Sequence, residues 1–450
     1  MLPAGNAAGG SPAAKTGAGP SAGRWPAALL ALILSGATLL VGVRTACAFA
    51  LSLRGLDRAA FDHDRVSTLY ANDRDGRLVT LASVGARLNG GVVVDLGLPG
   101  MMRDGRVLFA AQTMSGSSND GWRLYIGDPN AAPGVRITPA LGATMVAAPH
   151  CSPVLKVDPR PVAGPNGEFA FVGAEASGHD SVFLYANDRL SCLARSGART
   201  VQGHVIAALG FGSEQFAGPD KIVLKAWLEP WKRHPDSARD VPALAMVSRR
   251  GGIEELAVAG ASAGRGARYV DFGLPAALPY DGPVAFSAKT RTGEALFIYR
   301  KGAVNRVLSA GKRTAAGRID HLSLERPGLM RDATTAVLAS VRHVPLLLVV
   351  ARQRPRVRAR RGQLDPSGTP LQWFGNPLLT GSGAMIFGAQ DIYGNERLYA
   401  LAPGGTFLKA GSARVAYRVG PRQLSGQPVF SGSLSVNEFG DFAFLGGRRK

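Results

Sequence analysis

The chain has 450 residues, 46% of them apolar and 7% aromatic, with 58 glycines and 29 prolines. That apolar share excludes a disordered chain, and the glycine and proline content suits many short strands joined by turns. The formal charge of +20 draws anionic partners and says nothing about fold.

The first two dozen residues are rich in Gly, Ala, Pro and Ser and carry no fold signal. An uncharged apolar run from Trp25 to Val43 follows Lys15 and Arg24, and the small-residue site Ala46-Cys47-Ala48 comes after it. This order predicts a secretory signal peptide cleaved after Ala48 or Ala50. The competing reading is an uncleaved N-terminal membrane anchor, since a run of 19 residues is long enough to span a bilayer. On both readings the rest of the protein works outside the cytoplasm, in the periplasm or beyond the cell, and meets a membrane only through this segment. Residues 1–48 are the leader, 49–63 a linker and 64–450 a single repeat domain. Loss of Lys15, Arg24 and Arg44 with the leader leaves +17. For an exported protein the available anions are polysaccharide and lipid head groups, not nucleic acid.

Beyond the linker a turn followed by a short apolar strand recurs. Copies are Gly105-Arg106-Val107-Leu108-Phe109, Gly167-Glu168-Phe169-Ala170-Phe171, Gly282-Pro283-Val284-Ala285-Phe286, Gly383-Ala384-Met385-Ile386-Phe387 and Gly440-Asp441-Phe442-Ala443-Phe444. Two looser copies end at Leu224 and Leu338, and the seven are spaced 49 to 62 residues apart. Around Phe286 the pattern reads as four strands: Arg268–Pro275, leading into a proline-bearing loop, then Val284–Ala288, Ala295–Tyr299 and Val304–Leu308, with turn signals at Asp281-Gly282, Thr292-Gly293 and Lys301-Gly302. Short antiparallel strands repeated at this period predict propeller blades.

The two ends complement each other. Thr68–Asp73 and Leu78–Ser83 read as the third and fourth strands of a blade, and Val429–Gly446 reads as a first and second strand. Joined, they close a ring and remove its open edge. The expected fold is therefore all-β, a seven-bladed propeller of four-stranded antiparallel blades with one blade shared by both termini. Six blades remain open because the Leu224 and Leu338 copies are weak. The stretch Trp227–Asp240 reads as a surface loop between second and third strands.

Asn437-x-x-Gly440-x-x-Ala443-Phe444 resembles the motif of the bacterial NxxGxxAF tandem-repeat proteins. The alternation of Asp-Gly, Ala-Phe and Leu-Tyr is similar to the periplasmic TolB-type propeller repeat. The first resemblance implies an exported, often surface-anchored propeller without an assigned activity. Only the last copy carries the full motif, and the chain ends Gly447-Arg448-Arg449-Lys450 without a sorting anchor.

Few residues suggest chemistry. Asp95, Asp271, His321 and Trp373 share one aligned position of the first strand, where an axial ring of carboxylates would hold a metal or a sugar, or would instead bond the next blade. Arg352, Arg354, Arg356, Arg358 and Arg360, with Arg361 beside them, fall at two-residue spacing and so on one face of an outermost strand. Guanidinium forks there suit phosphate or carboxylate, although charge on an edge also blunts aggregation. Cys151 and Cys192 either pair or fill the core, and no Cys/His cluster points to zinc. Gly260-Ala261-Ser262-Ala263-Gly264 matches a nucleophile-elbow pattern without its strand-to-helix setting. Asn72–Gly76 reads as a hairpin turn, lacking the later acidic ligand of a calcium loop.

The sequence therefore predicts a monomeric, non-catalytic binding propeller with no cofactor and no metal. Its partner would be an envelope protein or an anionic glycan or lipid surface. The alternatives are a carbohydrate hydrolase or lyase acting through axial carboxylates, and a TolB-like periplasmic assembly scaffold.

Overall fold

A computed structural model describes residues 67–141, 151–210, 212–230, 240–250, 252–280, 282–394, 396–408 and 428–448, all within the compact unit Ala59–Lys450. The leader and linker lie outside the described residues. Among the described residues no helix is long and apolar enough to cross a membrane.

The strands form seven small antiparallel sheets among the described residues. Blade 1 is the shared one, ordered Leu78–Ser83, Ser67–Asn72, Phe442–Arg448, Pro428–Val436. Tyr70 stands opposite Phe444 in that ladder and Leu69 opposite Leu445. The ring is thus shut by hydrogen bonds between chain segments more than 350 residues apart, as the half-blade pattern predicts. Blades 2 to 7 follow in chain order, their inner strands beginning at Gly91, Val154, Ile206, Tyr269, Gly317 and Leu371.

The repeated phenylalanine has one job throughout. It sits on the second strand directly across from the aromatic of the third, giving Phe109–Tyr125, Phe171–Phe183, Phe286–Phe297, Phe387–Tyr399 and Phe444–Tyr70. The rings of these pairs stack with centroids 5.3 to 5.9 Å apart. Such pairs add about 0.5–1.5 kcal/mol each beyond the area they bury. The two weak copies are the exceptions that prove informative: Leu224 faces Ala245 and Leu338 faces Leu347. They are genuine second strands packed without aromatics.

Adjacent blades pack face to face. Val172, Val182 and Leu184 of blade 3, for example, share a buried cluster with Ile206, Ile222 and Leu224 of blade 4. In blade 4 the second strand runs Lys221–Leu228, so Trp227 is ladder rather than loop and stands opposite Pro242. The insert proper falls on residues outside the described set. The Asn72–Gly76 stretch is a hairpin turn, in which Asp73 Oδ1 accepts from the backbone N–H groups of Asp75 and Arg77.

Candidate functional site at the central channel

Each inner strand of blades 2 to 7 is broken into two pieces. In blade 2 they are Gly91–Leu96 and Gly100–Met101, in blade 3 Val154–Val157 and Val162–Ala163, in blade 5 Tyr269–Phe272 and Ala276–Ala277. The second pieces and the turns after them line a cavity of about 930 Å³ to which all seven blades contribute. The first pieces line the opposite end of the channel, and the breaks form a waist between.

The sequence-aligned position lies on the first pieces. Every one of these carries a one-residue bulge against its second strand, which fixes the alignment as Asp95, Lys156, Ala208, Asp271, His321 and Trp373. The predicted four do share a level, but the level is not a carboxylate ring. It is a mixed set, because Lys156 and Ala208 take two places and His321 and Trp373 two more. Asp95 and Asp271 each accept from the backbone N–H of the residue that follows, Leu96 and Phe272. Asp271 also bonds across to the neighbouring blade, through Lys225 of blade 4 at 2.8 Å, whose ammonium donates to Phe272 O as well. His321 Nδ1 is 3.3 Å from Glu294 of blade 5.

The waist holds the charged residues that the sequence reading passed over. Asp158 of blade 3 and Glu214 of blade 4 are 3% and 1% exposed. Asp158 Oδ2 and both Glu214 oxygens have no hydrogen-bond partner. Arg326 of blade 6 reaches the same region, donating from Nε to Pro275 O and from Nη2 to Gly212 O, while Asn376 of blade 7 donates to Arg326 O at 2.8 Å. One guanidinium thus ties blades 4, 5 and 6 around the channel. Burial pulls Arg326 down to about 10 against the charge of Glu214. Burial raises Asp158 to about 6, with Arg160 and the Gly212 N–H only partly opposing it. Burial and then the Asp158 charge hold Glu214 well above the usual carboxylate range.

A consequence in pH follows. An acid whose folded-state value is raised keeps its proton longer in the native state than in the unfolded one. Its contribution to stability is complete below the ordinary 3.8 of an aspartate and lost as pH rises through about 6. Between pH 4 and 7.5 Asp158 alone should therefore remove on the order of 2–3 kcal/mol. Urea unfolding across that range should fall more steeply for the wild type than for D158N/E214Q. Parallel slopes would contradict the burial that raises these two acids.

The arginine row is where the sequence placed it, on the outermost strand of blade 6, Arg354–Arg360. It does not lie on one face. A bulge sets Leu347 opposite Ala359 but Leu348 opposite Val357, so parity flips at Arg358. Arg354 and Arg356 share a face, Arg360 is on the other, and Arg352 belongs to the preceding turn with φ 48°. The same bulge recurs in blades 1, 3, 4 and 5, where the extra residue is Leu81, Leu193, Leu256 or Val307. In blade 6 it is Arg358, half-buried, its pKa lowered by burial and by Arg356.

Cys151 and Cys192 are joined, with Cα atoms 6.2 Å apart, and tie the approach to the inner strand of blade 3 to its outermost strand. Glu175 lies beside the two sulfurs. Its carboxylate is taken by the Ser181 and Ser177 hydroxyls and the Ser152 N–H, and the sulfurs are spent on each other. Gly260–Gly264 is a turn between blades 4 and 5, with Ser262 Oγ accepting from the Gly264 N–H.

The fold and its channel define the class: a seven-bladed β-propeller. No family model matches the sequence, and no curated protein does. Among solved structures, a Mycobacterium tuberculosis puromycin-hydrolyzing peptidase is 14% identical, with a TM-score of 0.46 over 79% of this chain and 49% of that one. A putative TolB from Agrobacterium tumefaciens is 10% identical, with a TM-score of 0.37 over 86% of this chain and 99% of that one. The Aleuria aurantia lectin is 10% identical, with a TM-score of 0.34 over 69% and 95%. The chain spans about half the length of the peptidases it matches. At these identities the likeness is one of fold alone.

Proposed function

We propose that this propeller is an exported, non-catalytic scaffold that binds an anionic partner at the cell envelope or outside it. The observation that carries this reading is the edge of blade 6. Arg352, Arg354, Arg356, Arg360 and Arg361 are exposed there, and among the described residues none of them has a carboxylate within ion-pair distance. Unpaired guanidiniums on a free sheet edge suit bidentate contact with phosphate, sulfate or carboxylate groups. The chain's +20 charge adds long-range attraction to the same partners. The bulge gives the edge two arginine faces, which suits a chain or a head-group layer that wraps the edge. The full motif from Asn437 to Phe444 supports kinship with the exported NxxGxxAF repeat proteins, and the apolar run before Ala48 supports export.

The test is retention on heparin and on vesicles containing anionic lipid, for wild type and R354Q/R356Q/R360Q. Each cation held at an anionic surface contributes about 1 kcal/mol, so the triple variant should bind vesicles on the order of a hundredfold more weakly. Equal retention of the two proteins would overturn the proposal.

A further inference from the structure

The turn-side mouth of the channel carries an anion site that is already filled by the chain itself. Glu438, from the turn between the first and second strands of blade 1, projects across the opening. Arg103 Nε of blade 2 donates to its Oε1 at 2.9 Å, the Tyr280 hydroxyl of blade 5 to the same oxygen at 3.0 Å, and Arg331 Nη2 of blade 6 approaches Oε2 at 3.3 Å. The two guanidiniums also cover rings: Arg331 lies 4.4 Å from the Tyr280 centroid, and Arg103 lies 5.6 Å from that of Phe439. Side-chain contacts from three other blades thus converge on one acidic–aromatic pair, Glu438-Phe439.

We propose that this mouth recognises a peptide segment in which an acidic residue precedes an aromatic one, and that Glu438-Phe439 is a resident occupant which such a ligand displaces. Three observations favour an exchangeable occupant over a structural ion pair. The first is charge. The ion pairs of Arg103 and Arg331 both go to the one Glu438 carboxylate, while Asp104 pairs with Arg106 and Asp332 accepts from the Thr334 N–H and hydroxyl. Each guanidinium has five N–H donors, so most of the donor capacity is unused. The second is depth. The Arg103 and Arg331 side chains are 46% and 65% exposed and Phe439 is 43% exposed, so the pair sits at the rim and leaves the cavity behind it open. The third is redundancy. Ring closure rests on the Asn437 side chain and the Tyr70–Phe444 ladder, so the Glu438 side chain can swing out without opening the ring, its carbonyl still held by the Gly381 N–H of blade 7 at 2.8 Å.

The cavity wall selects the partner. Beside the cage stand Met101, Phe216, Leu278, Leu329, Met330 and Leu379, which suit an aromatic or aliphatic side chain, interleaved with polar groups such as Gln215, Thr380 and Ser382 that suit a peptide backbone. This proposal does not rest on the arginine edge of blade 6, which lies on the outside of the ring.

The experiment uses a fluorescein-labelled, C-terminally amidated Gly-Ser-Glu-Phe-Gly-Ser peptide, followed by anisotropy with the propeller domain and its leader intact. Wild type should bind weakly, because the peptide must displace Glu438. E438Q, which frees both guanidiniums while keeping the shape of the side chain, should bind about tenfold more tightly. E438Q/R103Q/R331Q should lose binding while its thermal melt shows it folded, and a peptide with Gln in place of Glu should bind none of the proteins. Equal affinity of E438Q and wild type, or equal binding of the Gln peptide, would overturn the proposal. So would displacement of the probe by a heparin fragment as readily as by unlabelled peptide. Heparin retention by E438Q/R103Q/R331Q, compared with the blade 6 variants, separates failure here from failure of the envelope-binding reading.

Discussion

Gly273→Ala should be among the most damaging single-atom additions to this protein, costing about 3 kcal/mol or more in urea unfolding. Gly273 stands at the break of the blade 5 inner strand, its N–H bonded to Ser287 O at 2.8 Å. The next residue's N–H reaches across to Leu324 O of blade 6 at 3.1 Å. A Cβ on Gly273 would lie 1.8 Å from that same carbonyl oxygen and 2.6 Å from its carbon. The obstacle is the backbone of the neighbouring blade, which cannot rotate aside as a side chain can. Relief requires the two blades to part at the waist, where Arg326 and Asn376 also bind. Gly97 repeats the arrangement in blade 2, with a Cβ falling 1.9 Å from Pro159 O. The cost is purely steric, since neither glycine adopts a left-handed φ. Gly302→Ala is the contrast. That turn has φ 78° and nothing within 4 Å of the added carbon, so the loss there should be only the left-handed penalty of about 1–2 kcal/mol. If G273A unfolds at the same urea concentration as G302A, the close approach at the waist is wrong.

The same pair of glycines shows how far the sequence could be read. Asp95-Leu96-Gly97-Leu98-Pro99 and Asp271-Phe272-Gly273-Leu274-Pro275 match at four of five positions, and the match is visible because both blades must bring backbone against backbone at the waist. The repeated phenylalanines and the half-blades at the two ends were legible for a similar reason. Each is a local pattern dictated by strand pairing, and local patterns survive in a single sequence. The waist acids were not legible. Blade 3 replaces the Gly-Leu-Pro break with Asp158-Pro159-Arg160-Pro161 and blade 4 with a longer one that includes Glu214, so the repeat is lost where the charge enters. Aligning the position just after each first inner-strand piece would have exposed Asp158, but in blade 4 that position is Gly210, and Glu214 stands at the far end of the break. The arginine row failed on a different point: alternation holds only while the ladder is regular, and one bulged residue moves Arg360 to the opposite face. The meeting of Tyr280 with Glu438, 158 residues apart, follows only from the ring geometry.

Asn437→Ala should open the ring at its seam, with a loss of about 3 kcal/mol and a local rather than uniform signature. The side chain is 8% exposed and uses both ends of its amide. Its Oδ1 accepts from the Phe439 and Asp441 N–H groups at 3.0 and 2.9 Å, shaping the turn. Its Nδ2 donates to Met102 O of blade 2 at 3.0 Å and to Asp441 Oδ2 at 2.9 Å. Asp441 in turn meets Asn72 Nδ2, while Asn72 Oδ1 accepts from the Phe442 N–H at 2.6 Å. One amide therefore connects the C-terminal strand pair, the N-terminal pair and the neighbouring blade. This gives a physical reason for the asparagine to stand in the repeat that closes the ring. Asp at this position would keep the two acceptor contacts, yet it would set a carboxylate against Met102 O and Asp441, so N437D should be no better than N437A despite its near-identical shape. Hydrogen exchange should then quicken in Ser67–Asn72, Phe442–Arg448 and the Met102 turn, and stay slow in the second strands of blades 4 and 5. Uniform acceleration through all blades, or an unchanged seam, would mean that closure is held by the strand ladder alone and that Asn437 only shapes its own turn.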